Sequence, residues 1–306
     1  MPVRLDLFVS SRELFRALAG ENAEENFNPF DSVAVGAGWR VHLIAPLSED
    51  QAGHLLRDEQ QRLEGKQMAF MAADYEALVP FSQAGWRTIF YNPDGLIAPV
   101  RLPLQDADIV SLDALDQTLS LLAKPSLQQC IAWWEAWDLP ENIRQHSITV
   151  AWAAYTLAVL MRNQGVALDP MLAQRAGLVH DLDKIKTLKL GDAHGREGAA
   201  FLAQQGYPEL AGIVREHIMH SVLTENPDTR GWEDRLVFFC DKLVEGDRIV
   251  SFKQRLAALM QRYPDYRETM ARAEAQIWRL NDRICSILSI PDHEILISTL
   301  LKLQDY

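Results

Sequence analysis

Cysteine is scarce in this chain. Cys130, Cys240 and Cys285 are the only three in 306 residues, and their wide spacing excludes a disulfide framework or a cysteine-built zinc cluster. A reducing cytoplasm is the expected compartment. Basic residues are also in short supply: 30 Lys and Arg stand against 42 Asp and Glu, giving a formal charge of −12 and a pI near 5.1. That balance argues against the broad positive footprint that nucleic-acid binding needs, although a local basic pocket stays open. Long apolar runs are missing too. The longest, Val150 to Met161, is about half of a membrane span and contains Tyr155 and Thr156. The opening MPVRLDLFVSSREL lacks a basic region followed by an apolar core, so neither export nor membrane insertion is expected. Internal repeats and low-complexity segments are absent as well.

What is present is enough to fold. Hydrophobic residues make up 48% and charged residues 24%, far from the composition of disorder, and the length suits two cores better than one. From residue 1 to 123, β-type runs (Val3–Val9, Arg40–Ala45, Gln67–Ala72, Arg87–Tyr91, Asp108–Val110) alternate with helical stretches (Ser11–Leu18, Glu49–Leu63, Tyr75–Ala84, Leu112–Leu122). Such alternation predicts an α/β domain with a mainly parallel sheet. Lys124-Pro125-Ser126 breaks the pattern. From 124 to 306 no convincing strand is found, and seven or eight helices are predicted, with Pro140, Pro170, Pro208 and Pro291 at helix starts and Gly165 at a stop. Two domains are expected, an α/β domain over 1–123 and an all-α domain over 124–306.

Five of the eight histidines, His146, His180, His194, His217 and His220, fall between residues 146 and 220, inside the helical half, with Asp181 beside His180 and Asp241 further on. Neutral imidazoles and carboxylates converging from several rigid elements are what a divalent metal wants. Asp241 sits in the apolar run Arg235–Val244, where an uncompensated carboxylate would cost several kcal/mol. A metal is one way to meet it; a salt bridge to a neighbouring Lys or Arg is the other.

The order His146, His180-Asp181, Asp241 resembles the H…HD…D signature of the HD superfamily of metal-dependent phosphohydrolases. The contexts Gln145-His146-Ser147, Ala176-Gly177-Leu178-Val179-His180-Asp181 and Cys240-Asp241-Lys242-Leu243 are similar to that family's, and the resemblance covers about 125–260. It implies hydrolysis of a phosphate ester or anhydride by a metal-activated water, with one or two divalent ions drawn from Fe, Mn, Mg, Co or Zn. A mononuclear centre would use His146, His180, Asp181 and Asp241; the favoured binuclear centre adds His194 and His217. His220 is a further candidate for a ligand or phosphate contact, against the alternative of a solvent-facing or core histidine. Asp181 and Lys184 are the implied catalytic residues, Lys184 standing where the family often has HDIGK and directing its ammonium at a substrate phosphate. Asp183 reads as a solvated helix-end charge. Arg248 and Arg255 are candidate phosphate contacts or surface arginines, and His42, His54 and His293 are read as structural.

The implied partner is a phosphorylated small molecule, with nucleotides the substrate class of first choice. A competing reading is a non-catalytic nucleotide-binding sensor. A third makes the front domain the enzyme and the helical half its regulator.

In the front half, Met71–Leu78, Ala84–Asn92 and Asp106–Leu112 resemble the closing part of a haloacid dehalogenase (HAD)-like phosphatase domain. The nucleophile such a domain needs is missing. The first strand ends Leu7-Phe8-Val9-Ser10-Ser11 with Asp6 too early, the acidic turn is reduced to Ala72-Ala73-Asp74, and Ser48 alone matches a phosphate-contacting position. A degenerate HAD-like or Rossmann-type module with a binding or regulatory role is expected. Trp133, Trp134 and Trp137 could stack on a nucleobase, or pack the first helix of the second half against its neighbours.

Overall fold

The computed structural model describes residues 5–9, 14, 18, 32–35, 39–43, 67–112, 122–187, 194–219, 221–224 and 230–304. The expected helices Ser11–Leu18, Glu49–Leu63 and Leu112–Leu122 lie wholly or mostly outside these residues, as do Ser48, His54 and His220. The chain divides into two compact units, one of Met1–Leu96 with Leu104–Ser126, the other of Ile97–Pro103 with Leu127–Tyr306.

The front unit is built on a six-stranded sheet. Strand β1 (Leu5–Val9) lies between β3 (Trp39–Leu43) and β4 (Gln67–Ala72), followed by β5 (Arg87–Tyr91) and β6 (Ala107–Ile109), all parallel, while β2 (Ser32–Val35) pairs antiparallel with the outer edge of β3. Counting the parallel strands alone, the order is 2-1-3-4-5, the strand order of a Rossmann-type sheet. The period-two alternation of side chains gives the sheet two different faces. Leu7, Val9, Val41, Ala69, Met71 and Ile89 form an aliphatic core on one of them. The opposite face carries Phe8 and Phe70, with Phe81 stacked on Phe70 and Trp86 edge-on to Phe8; the short helix α1 (Val79–Gln83) supplies Phe81. On that same face Asp6 is fully buried, and its Oδ1 lies 2.7 Å from Nε2 of His42, whose ring stacks on Phe8. The sequence gives no warning of β2, because a four-residue edge strand takes its extended form from its partner rather than from a periodicity of its own.

The other unit is helical: α2 (Leu127–Ala136), α3 (Glu141–Asn163), α4 (Pro170–Val179), α5 (Lys184–Thr187), α6 (Arg196–Gln204), α7 (Pro208–Glu216), α8 (Ser221–Thr224), α9 (Trp232–Asp241), α10 (Phe252–Arg262), α11 (Arg267–Ile287) and α12 (His293–Gln304). One correction is needed to the expectation of no strand here: β7 (Val244–Glu245) and β8 (Arg248–Ile249) form a small antiparallel hairpin between α9 and α10. Two-residue strands are too short to leave a pattern in sequence.

Helix α3 is the spine of this unit, with Val150 to Val159 buried on every side, as expected of a helix apolar all round. Helix α4 is started by Asp169, whose carboxylate accepts the Met171 and Leu172 N–H groups, and by Pro170 in its first turn. It then packs on α3 at Gly177, where a Cβ would lie 2.6 Å from the Ala151 Cα. Only glycine permits that approach. The segment Ile97–Pro103 belongs to this unit as well: Arg101 donates to the Thr149 Oγ1 and to the Asp247 carbonyl, and Gln174 Nε2 donates to the Pro103 carbonyl at 2.8 Å.

Candidate metal centre

Helix ends converge on the spine. His146 lies in the second turn of α3, His180 and Asp181 follow the last turn of α4, His194 precedes α6, His217 ends α7, and Asp241 is the last residue of α9. All six are brought together. Asp181 stands in the middle, 2% exposed, with its two oxygens turned to different histidines. Oδ2 is 3.5 Å from His180 Nε2 and 3.9 Å from His146 Nε2. Oδ1 is 3.1 Å from His194 Nε2 and 3.7 Å from His217 Nε2. Asp241 Oδ1 joins the first group, 3.0 Å from His146 Nε2 and 3.8 Å from His180 Nε2.

Two sets of donors, His146–His180–Asp181 and Asp181–His194–His217, each have ligand atoms within 4.8 Å of one another. Atoms bound at about 2.0–2.2 Å to one ion lie about 3–4 Å apart, so both sets fit a divalent cation. The fit is supported by a buried polar atom with no hydrogen-bond partner, Nε2 of the wholly buried His180, which faces both carboxylates.

The histidines are oriented by hydrogen bonds at their other nitrogen. Nδ1 of His180 donates to the Gly177 carbonyl at 2.8 Å, Nδ1 of His217 to Val214 at 2.5 Å, and Nδ1 of His146 to Gly246 in the turn of the β7–β8 hairpin at 2.9 Å. A carbonyl only accepts, so in each ring Nδ1 carries a proton and Nε2 is the nitrogen turned to the centre. His194 differs: its Nδ1 meets a carboxylate oxygen of Asp183, at 2.8 Å.

Burial alone would raise the Asp181 carboxyl, but the Lys184 ammonium and His180, with hydrogen bonds from His194 and His217, hold it well below the usual carboxylate range. Asp241 follows the same pattern, with burial opposed by Lys242 and by His146 and His180. In the second group the two rings are driven apart. Burial pulls His194 down, yet its bonds to Asp181 and Asp183 outweigh this and lift it to about 9, whereas burial dominates at His217 and lowers it to about 4. Their Nε2 atoms are 3.1 Å apart, so one proton serves the pair.

The salt-bridge reading of Asp241 holds for one oxygen: Oδ2 pairs with Lys242, while Oδ1 faces the histidines. Lys184 pairs with Asp181 Oδ2, its side chain still partly exposed. Of the two arginines, Arg248 is the surface residue, its side chain 87% exposed. Arg255 is buried, paired with Glu245, and has Nη2 3.7 Å from Asp241 Oδ1. His293 is structural, taking the Phe252 N–H on Nε2 and bonding Asn281 through Nδ1. The indoles are used in packing: Trp134 donates to the Leu178 carbonyl, Trp133 meets Phe201 and Tyr207, and Trp137 meets Phe201 under the Lys186 ammonium. Sequence reasoning missed Asp183, which is fully buried rather than solvated, and it missed the Gly246 carbonyl. A backbone acceptor leaves no trace in sequence.

The family described as HD domain matches residues 143–246, a stretch that contains all six residues of the centre. Over these residues the chain is similar to the HD domain, the hallmark of the metal-dependent phosphohydrolase superfamily. An uncharacterized protein of Methanocaldococcus jannaschii is 29% identical to it over 159 residues, 48% of this chain and 90% of that relative. No solved structure matches the chain. No helix among the described residues is long and apolar enough to cross a membrane.

Proposed function

We propose that the helical unit is a working phosphohydrolase that cleaves a phosphate ester or anhydride of a small molecule, and that the substrate is a nucleotide. The observation that carries this reading is Asp181, whose two oxygens serve two separate histidine groups. His146, His180, Asp181 and Asp241 would hold one divalent ion, and Asp181, His194 and His217 a second. Bound there, such ions supply Lewis acidity and an acidified water at neutral pH. Imidazole and carboxylate donors suit Fe, Mn, Co, Zn or Mg.

The residues around the ions have separable tasks. Asp181 would contribute one oxygen to each position. The Lys184 side chain, 26% exposed and paired with Asp181, has the length and charge to meet a phosphate oxygen at the mouth of the site and steady the charge that develops there. Lys242 and Arg255 compensate Asp241 from the protein side. The front unit, with Asp6 held inside the sheet by His42, is read as a binding or regulatory module.

The test is metal content and product formation for the wild type and Asp181→Ala, across nucleoside monophosphates, dinucleoside polyphosphates and cyclic dinucleotides. The wild type should carry metal and hydrolyse at least one class, and Asp181→Ala should lose both properties. Hydrolysis that survives the substitution would overturn catalysis at this centre. A wild type that binds metal and nucleotide but hydrolyses nothing would favour the sensor reading.

A further inference from the structure

We propose that Asp183, outside the ligand set, is the positioning residue for His194 and governs the affinity of the second ion position. The inference rests on the two-ion reading above. It starts from a difference among the four histidines. Three rings are held through Nδ1 by backbone carbonyls, those of Gly177, Val214 and Gly246, which no side-chain substitution removes. His194 is held by a side chain.

Asp183 is fully buried, and among the described residues three donors bond its carboxylate. Oδ1 accepts from His194 Nδ1 at 2.8 Å and from the Gly195 N–H at 3.1 Å, and Oδ2 accepts from the Gly198 N–H at 2.8 Å. Those contacts keep the carboxyl of Asp183 ionised against its burial. The same carboxylate therefore fixes the His194 ring and caps the start of α6.

The backbone around it leaves little slack. Gly195 has φ +79°, and a Cβ there would lie 3.1 Å from the Val214 carbonyl, the group that holds His217. Asp183 thus locks the segment bearing one ligand of the second position against the helix end bearing the other. Being charged, it also makes the Nε2 of His194 a stronger donor than a carbonyl would. Asparagine would keep one acceptor oxygen for His194 but turn amide hydrogens toward the Gly198 N–H. Alanine would leave three donors unmet.

The experiment titrates metal-free wild type, Asp183→Asn and Asp183→Ala with cobalt(II), following the visible spectrum and the binding heat, and records His194 ring nitrogen spectra of the zinc-loaded proteins. The wild type should take two ions, with a downfield Nδ1 proton on His194. Affinity for the second ion should fall about tenfold in Asp183→Asn and about a hundredfold in Asp183→Ala, with loss of the downfield proton in Asp183→Ala and the first ion's affinity unchanged. If the alanine protein does not fold, the asparagine protein carries the test. Two ions bound with wild-type affinities in the variants, or equal weakening of both, would overturn the inference and leave the metal centre standing. A wild type that takes no ion would instead sink the metal-centre reading itself.

Discussion

Each unit of this protein buries an aspartate against a histidine, and the two cases differ in what surrounds the pair. In the sheet, Asp6 and His42 meet alone between aromatic rings, on neighbouring parallel strands. In the helical unit, Asp181 meets four histidines from four different segments, each ring turned so that its Nε2 faces inward. The sheet pair brings one imidazole to one carboxylate and leaves Asp6 Oδ2 without a hydrogen-bond partner among the described residues, too small a donor set to hold an ion. Several imidazoles and two carboxylates gathered from helix ends, with Nε2 of His180 unpartnered among them, are a set that fits a cation.

Substituting one histidine in each unit is the most direct way to break the comparison. His180→Ala should empty the first ion position and lower hydrolysis by about a thousandfold, the equivalent of about 4 kcal/mol of transition-state stabilisation. His42→Ala should leave metal content and hydrolysis alone while lowering stability by about 1–3 kcal/mol, because Asp6 is left buried without its partner. Metal analysis and urea unfolding of both variants decide the matter, and loss of metal from His42→Ala would erase the distinction.

Chelation comes next in size. Ions present at about a hundred times their dissociation constant stabilise the folded form by about 2.7 kcal/mol, which for a unit of this length corresponds to about 5–10 °C in Tm. Calorimetry with and without chelator should show that loss in the helical unit and no shift in the sheet unit.

Gly177→Ala should cost about 1–3 kcal/mol by forcing α4 away from Ala151. It should also weaken metal binding, because the Gly177 carbonyl orients His180. A stability loss with unchanged metal affinity would show that the ring does not depend on helix spacing.

The smallest effect is one of pH. In the metal-free protein His194, raised from 6.5 to about 9, contributes stability fully below pH 6.5 and loses it as pH climbs through 9; His217, lowered to about 4, costs stability as pH falls from 6.5 toward 4. The chelated helical unit should therefore be most stable near pH 6.5. His194→Gln should flatten the alkaline limb in urea titrations.

The six candidate ligands are legible in the sequence because they are side chains in a fixed order, set in apolar helices. Their supports are not. Asp183 looks like an ordinary charge at a helix end, and only the return of the chain at His194 to Gly198 encloses it. Gly246 offers a carbonyl that any residue would offer. Lys184 was expected at a substrate phosphate, but a buried carboxylate three residues earlier lies within reach of its ammonium. In the front unit the five parallel strands announce themselves by apolar alternation, whereas Ser32–Val35 is a strand only because Trp39–Leu43 is beside it.

The bond between His146 and the Gly246 carbonyl joins residues 100 positions apart, and this has a meaning in time. At about 5–20 residues per second of synthesis, His146 leaves the ribosome roughly 5–20 seconds before the peptide group that fixes its ring. Through that interval the nascent chain holds histidines able to bind stray ions loosely but no finished cage to discriminate among them. On the two-ion reading, ordered ion uptake would have to wait for the β7–β8 hairpin, with the three helices α10 to α12 still to be made.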